Sequence, residues 1–161
     1  MRQGDAQVFG GRLLAASPLF LQTRARLGET GRELFDHVGH QSVGLIDALP
    51  GIIDGLPFKV QFPVEVRFTG PDDVWLSHGY GRDSAYVAVH QFTGVEYEPY
   101  FRAVEAVCQP LGGRPHWGKL HYRSADDLRP AYEKFDEFVA VRDRLDPARV
   151  FTNEYLDRVL G

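Results

Sequence analysis

One cysteine, Cys108, is the only thiol in 161 residues. It excludes an internal disulfide and a cysteine-built zinc site, and it reads as a small buried residue on a helix. No apolar run approaches the ~20 residues that cross a bilayer. Arg2 and Asp5 flank no uninterrupted hydrophobic region of the signal-peptide kind. The expectation is a cytoplasmic protein with no membrane partner. Charge of one sign is lacking too: 18 Lys and Arg are interleaved with 22 Asp and Glu for a net −4, which gives nucleic acid no basic face. Gly79-Tyr80-Gly81 and Gly112-Gly113 lack the strand-to-helix spacing of a phosphate loop, and no serine nucleophile elbow is present. No His-Glu-x-x-His and no helical histidine pair four apart occurs, so no metal site is expected. Internal repeats, low-complexity tracts and linkers are missing as well.

What is present suits one globular domain or a piece of a larger one, with 43% hydrophobic and 25% charged residues. Leu13, Leu14, Leu19, Phe20 and Leu21, then Leu27, Leu34 and Phe35, predict two short amphipathic helices within residues 1–42. A helix from Ser42, as N-cap, to Ile53 follows, disturbed at Pro50-Gly51. Phe62, Val64, Val66 and Phe68 alternate with Pro63, Glu65 and Arg67, which predicts a strand that Pro63 confines to an edge or a bulge. Pro71-Asp72-Asp73 is a turn and Val74-Trp75-Leu76 a short strand. Ser84 to Phe92 is a second clear strand, with Val87 and Val89 on one face and Tyr86, Ala88, His90 and Phe92 on the other. Tyr97 to Leu111 has helical spacing and stops at Gly112-Gly113. Arg114 to Tyr122 predicts a third strand, with Trp117, Lys119 and His121 on one face and His116, Leu120 and Tyr122 on the other. Ser124 to Asp127 is a capping box, a helix follows from about Pro130 to Leu145, and Asn153 caps a last one through Leu160. This order predicts an α+β fold, an antiparallel sheet with helices packed on one side.

Chemistry-bearing residues gather in three places. Glu65 and Arg67 share a strand face, either as a solvated ion pair or as an acceptor and a bidentate donor for substrate hydroxyls. His90 closes a mostly apolar strand, as a half-buried histidine or as a base or ligand. His116, Lys119 and His121 with Trp117 form the densest group. A lysine between a tryptophan and a histidine is costly as core filling, but useful beside a developing oxyanion or an electron-rich cofactor.

Phe62-Pro63-Val64-Glu65-Val66-Arg67-Phe68, Asp72-Asp73 with Leu76-Ser77, Gly81-Arg82-Asp83 and Tyr86-Val87-Ala88-Val89-His90 stand as consecutive blocks. Arg114 to Lys119, Val141-Arg142 with Leu145-Asp146-Pro147, Phe151 and Asn153-Glu154-Tyr155-Leu156 continue them. In this order they resemble the C-terminal part of the sugar-1,4-lactone oxidases and alditol oxidases of the vanillyl-alcohol-oxidase flavoprotein superfamily, over roughly residues 43–161. The resemblance implies a substrate (cap) domain over 43–113 and a C-terminal segment, 114–161, that packs on an FAD-binding domain. That domain is not readable in residues 1–42.

The implied reaction is oxidation of a carbinol, in a D-arabinono- or L-gulono-1,4-lactone or a polyol, by hydride transfer to FAD. Glu65 and Arg67 would bind substrate hydroxyls, joined by Lys119. His90 and Lys119 would be catalytic, and His116, Trp117 and Lys119 would lie against the flavin. Alditol oxidases carry a substrate-binding threonine two residues after the His90 position. Here Phe92 stands there, with a threonine only at Thr93, which favours a lactone over an acyclic polyol. The implied partner is a separate FAD-binding domain, without which the chain is not expected to act alone. A non-catalytic lactone- or protein-binding module and an inactive remnant stay open beside this reading.

Overall fold

The computed structural model describes residues 19–25, 39–92 and 94–161. Four antiparallel strands form one sheet in the order β2-β3-β1-β4. They are β1 (Leu19–Ala25), β2 (Glu65–Thr69), β3 (Asp83–Val89) and the two-residue β4 (Arg114–Pro115). The helices are α1 (Gly39–Asp54), α2 (Glu98–Cys108), α3 (Ala125–Leu128), α4 (Phe135–Leu145) and α5 (Glu154–Leu160), with a 3₁₀ turn at Arg129–Ala131. The class is α+β.

β3 is central because both its faces suit burial: Ser84, Ala85, Val87, Ala88 and Val89 are all buried. Val87 and Val89 meet Leu45 and Leu49 of α1 and Tyr100, Phe101, Val104 and Cys108 of α2 in the first core. A second core joins Leu76 to Ala125, Leu128, Tyr132, Phe135, Val159 and Leu160, with Trp117 at its margin. Between the cores, the buried Glu105 of α2 accepts Tyr122 N–H at 3.1 Å and Arg123 Nε at 3.2 Å.

Several expected elements are corrected. Leu19, Phe20 and Leu21 belong to a strand, not a helix, and they pair with Val89, Ala88 and Val87; the other helix-predicting positions of residues 1–35 lie outside the described residues. α1 starts at Gly39, so Ser42 lies inside it, and it continues through Pro50. The strand expected from Phe62 enters the ladder only at Glu65, after Pro63, which has no N–H to give. Phe58, Val60 and Val64 still pack on the first core, so their pattern reports burial and not pairing.

Val74-Trp75-Leu76 is a turn. Asp72 accepts Val74 N–H at 3.0 Å and the Ser77 hydroxyl at 2.5 Å, drawing the chain into a local loop. The third strand stops at Pro115. After it, Lys119 N–H reaches the His116 carbonyl at 3.0 Å and closes a turn, so the expected alternation of Trp117, Lys119 and His121 does not exist. The helix expected from Pro130 divides into the 3₁₀ turn and α4.

Two of the expected caps match. Asp127 accepts from both the backbone N–H and the hydroxyl of Ser124, and Asn153 accepts Leu156 N–H at 2.9 Å. α2 ends at Cys108, short of the expected Leu111, with Gln109 as its C-cap; in the turn that follows Gly112 takes φ +66° and Gly113 N–H returns to the Cys108 carbonyl at 2.9 Å.

Candidate functional site

Cross-strand register builds the site. Glu65 lies opposite Ala88, and Arg67 opposite Tyr86, so all four share the sheet face turned away from Val87, Val89 and the α1–α2 layer. Arg114 of β4 pairs with Gln22, which pairs with Tyr86, and so falls on the same face. His90 follows two residues after Ala88 with the same parity. The turn after β4 then brings Lys119 close enough for its charge to act on both His90 and His116. Residues from β2, the end of β3 and the turn after β4 thus converge, though far apart in sequence.

Arg67 donates through Nε to Glu65 Oε1 at 2.5 Å, and the pair faces solvent, with Arg67 66% and Glu65 38% exposed. A pair this open gains little by itself and can be re-partnered by a polar ligand. His90 is held below its ordinary pKa, first by burial and then by Lys119, while Glu65 and the Pro63 carbonyl oppose the shift. Its ring is neutral at pH 7 and can accept a proton. Phe62 lies 5.9 Å from His90 and 4.5 Å from Phe92, an apolar wall where a threonine hydroxyl was the alternative. Thr93 lies outside the described residues.

His116 is lowered by burial and by Lys119. Its Nδ1 accepts Gly118 N–H at 3.0 Å. Trp117 donates its indole N–H to the Leu76 carbonyl at 2.8 Å, and its own carbonyl accepts the Tyr155 hydroxyl at 2.6 Å. His121 turns away from this group into the interior. There it bonds Tyr155 at 2.9 Å and is pushed down to about 4 by burial and by Arg158 and Arg123.

Residues 40–159 match the family described as D-arabinono-1,4-lactone oxidase. The chain belongs to that family. Among members, it is 56% identical to the L-gulono-1,4-lactone dehydrogenase of Mycobacterium tuberculosis over 120 residues, which is 71% of this chain and 28% of that protein. It is 36% identical over 119 residues to the L-gulonolactone oxidase of Bos taurus (71% and 26%), and 38% identical over 119 residues to a Streptomyces alditol oxidase (71% and 28%). The chain therefore spans little more than a quarter of the length of these relatives.

Sequence reasoning missed three members of the site neighbourhood: His78, Tyr86 and Arg114. His78 sits in a loop with no periodicity to single it out. Tyr86 carried a usable signal, since it shares strand parity with His90. Among the described residues no helix is long and apolar enough to cross a membrane.

Proposed function

We propose that this chain is the substrate-binding part of an FAD-dependent oxidoreductase acting on a sugar 1,4-lactone of the D-arabinono or L-gulono type. The observation that carries it is the meeting of Glu65 and Lys119 about His90, whose ring feels both charges.

The residues suit a lactone and a flavin. The Glu65 carboxylate accepts from two adjacent hydroxyls, and the Arg67 fork donates to ring or carbonyl oxygens. His90, neutral, takes the proton of the reacting hydroxyl, and the Lys119 ammonium lowers the energy of the alkoxide that forms. An ammonium flanked by neutral imidazoles also fits a ring system that gains negative charge on reduction. Bound FAD would supply the hydride acceptor, held mainly by a domain outside this chain. His116, Trp117 and Lys119 are the residues of this chain that would lie against it. The Phe62–Phe92 wall favours a compact lactone over a fully hydroxylated chain.

A flavin domain also needs a docking surface. Val74, Trp75, Leu76, Trp117, Phe138 and Leu156 line an apolar groove of about 400 Å³, with Trp75 42% exposed. Those residues are where such a domain would seat, in the manner of a cap domain.

The test is a mixture of this chain with a separately expressed flavin domain of the family. Flavin absorbance is followed on anaerobic addition of L-gulono- or D-arabinono-1,4-lactone. Bleaching in the mixture alone, lost in Lys119→Ala and slowed about 100-fold or more in His90→Gln, is the expected result. Lactone binding without bleaching would leave a binding module, and neither would leave a remnant.

A further inference from the structure

His78 has no part in the chemistry proposed above, yet its contacts all lead toward that site. It lies between Asp72 and Tyr80, which form a parallel bridge. The buried Arg114 guanidinium grips this loop, donating through Nη1 to the carbonyls of His78 at 3.0 Å and Tyr80 at 3.1 Å, and through Nε to Ala131 at 2.7 Å. His78 Nε2 is 3.0 Å from the Pro115 carbonyl. A carbonyl only accepts, so this nitrogen carries the proton.

The His78 ring lies nearly flat on His116, with centroids 5.0 Å apart and planes at 22°, and meets Tyr86 edge-on at 6.0 Å. The Gly118 N–H donated to His116 Nδ1 puts the His116 proton on Nε2. The same His116 supplies the carbonyl that closes the turn onto Lys119.

We propose that His78 is a positioning residue: by bonding the Pro115 carbonyl and stacking on His116, it fixes the tautomer of His116 and the setting of the turn that presents Lys119. Its meaning for substrate rests on the functional reading above. An imidazole turns about a broad, roughly two-fold terminal torsion, and a half-turn exchanges Nδ1 with the opposite edge of the ring. A flat neighbour blocks that turn. The His116–Lys119 turn contains Gly118, the least restrained residue type, so external contacts must hold it. Without His78, the Pro115 carbonyl keeps, among the described residues, the long Tyr132 hydroxyl contact at 3.4 Å.

The experiment is imidazole ¹H–¹⁵N correlation on the full chain at pH 7.5, with backbone amide shifts and L-gulono-1,4-lactone titration, for wild type, His78→Ala, His78→Phe and His78→Gln. Wild type is expected to show His116 as a single Nε2–H tautomer. In His78→Ala the two His116 nitrogens average, the Gly118 and Lys119 amides move, and lactone binding weakens about tenfold, while Val87 and Val89 methyls stay in place. His78→Phe, which keeps the flat ring, restores the tautomer but not the amide positions. An unchanged His116 pattern in His78→Ala overturns the proposal. If that variant does not fold, an unchanged pattern and unmoved amides in both Phe and Gln variants overturn it equally. Wild type that binds no lactone would count against the functional reading alone, because the tautomer and amide shifts still decide the role of His78.

Discussion

Leu76 adopts a left-handed backbone conformation, φ 58°, that non-glycine residues seldom hold. The bend sends its side chain into the second core and its carbonyl to the Trp117 indole. Removing that donor in Trp117→Phe leaves a half-buried carbonyl unpaired, and an expected loss of about 1 kcal/mol is read by urea denaturation. Tyr100 is the opposite case. Its ring is fully buried and its hydroxyl has no hydrogen-bond partner among the described residues; burial pushes its pKa up to about 12. Tyr100→Phe is therefore expected to leave stability unchanged or raise it by up to about 1 kcal/mol. A clear fall in denaturation midpoint would reveal a partner for the hydroxyl. Cys108 is buried and its thiol is pushed up to about 12 by desolvation. It should react with a thiol reagent no faster than the chain unfolds, as absorbance kinetics at two denaturant concentrations would show.

Among elements, α2 is tied to the C-terminal segment by one buried ion pair. Glu105 and Arg123 are 6% and 4% exposed. Burial raises the Glu105 pKa, against the pull of Tyr122 N–H and Arg123. Glu105→Ala strands a guanidinium in the interior, and a loss of about 3–5 kcal/mol is expected in equilibrium unfolding. Gly113→Ala is expected to be severe as well, since its Cβ would lie 2.7 Å from the Cys108 carbonyl oxygen. How far elements were legible follows from the same local physics. α3 and α5 could be read because Ser124 with Asp127, and Asn153, mark their starts chemically, whereas Gly112-Gly113 mark the turn after α2 and not its last residue, Cys108. The stretches around Phe62 and Trp117 alternate like strands, yet Pro63 and Pro115 withhold ladder donors, and side-chain bonds to Leu76, Pro115 and Gly118 win instead. Glu65, Arg67, His90 and Lys119 were recognisable one by one from blocks of sequence. Their meeting was not, because it depends on the register of β2 on β3 and on the turn that carries Lys119 away from β4, which no local pattern encodes.

For the molecule as a whole, acid should be destabilising well above the range where carboxylates titrate. His78 and His121 are held down to about 4, and His90 and His116 are lowered too, all chiefly by burial. As pH falls below about 6.5, the unfolded chain takes up protons that the folded chain refuses. Stability is therefore complete above that value and declines as pH drops toward 4. For His121, 5% exposed, a displacement of this size corresponds to ~3 kcal/mol at most. Glu105 acts in the opposite sense, but as one group against four. Thermal unfolding midpoints between pH 7.5 and 4.5 should fall steadily, and the slope should flatten in His121→Gln.

The strand order has a practical corollary for anyone choosing where to cut this gene. β1 is a middle plank of the sheet: among the described residues it is the strand that joins β3 to β4. The stretch that matches the family begins at residue 40, after that plank. A fragment trimmed to the match would not lose a margin; it would gain two raw seams, one along β3 and one beside Arg114 and Pro115. Light scattering should find the trimmed fragment sticky where the longer chain is not.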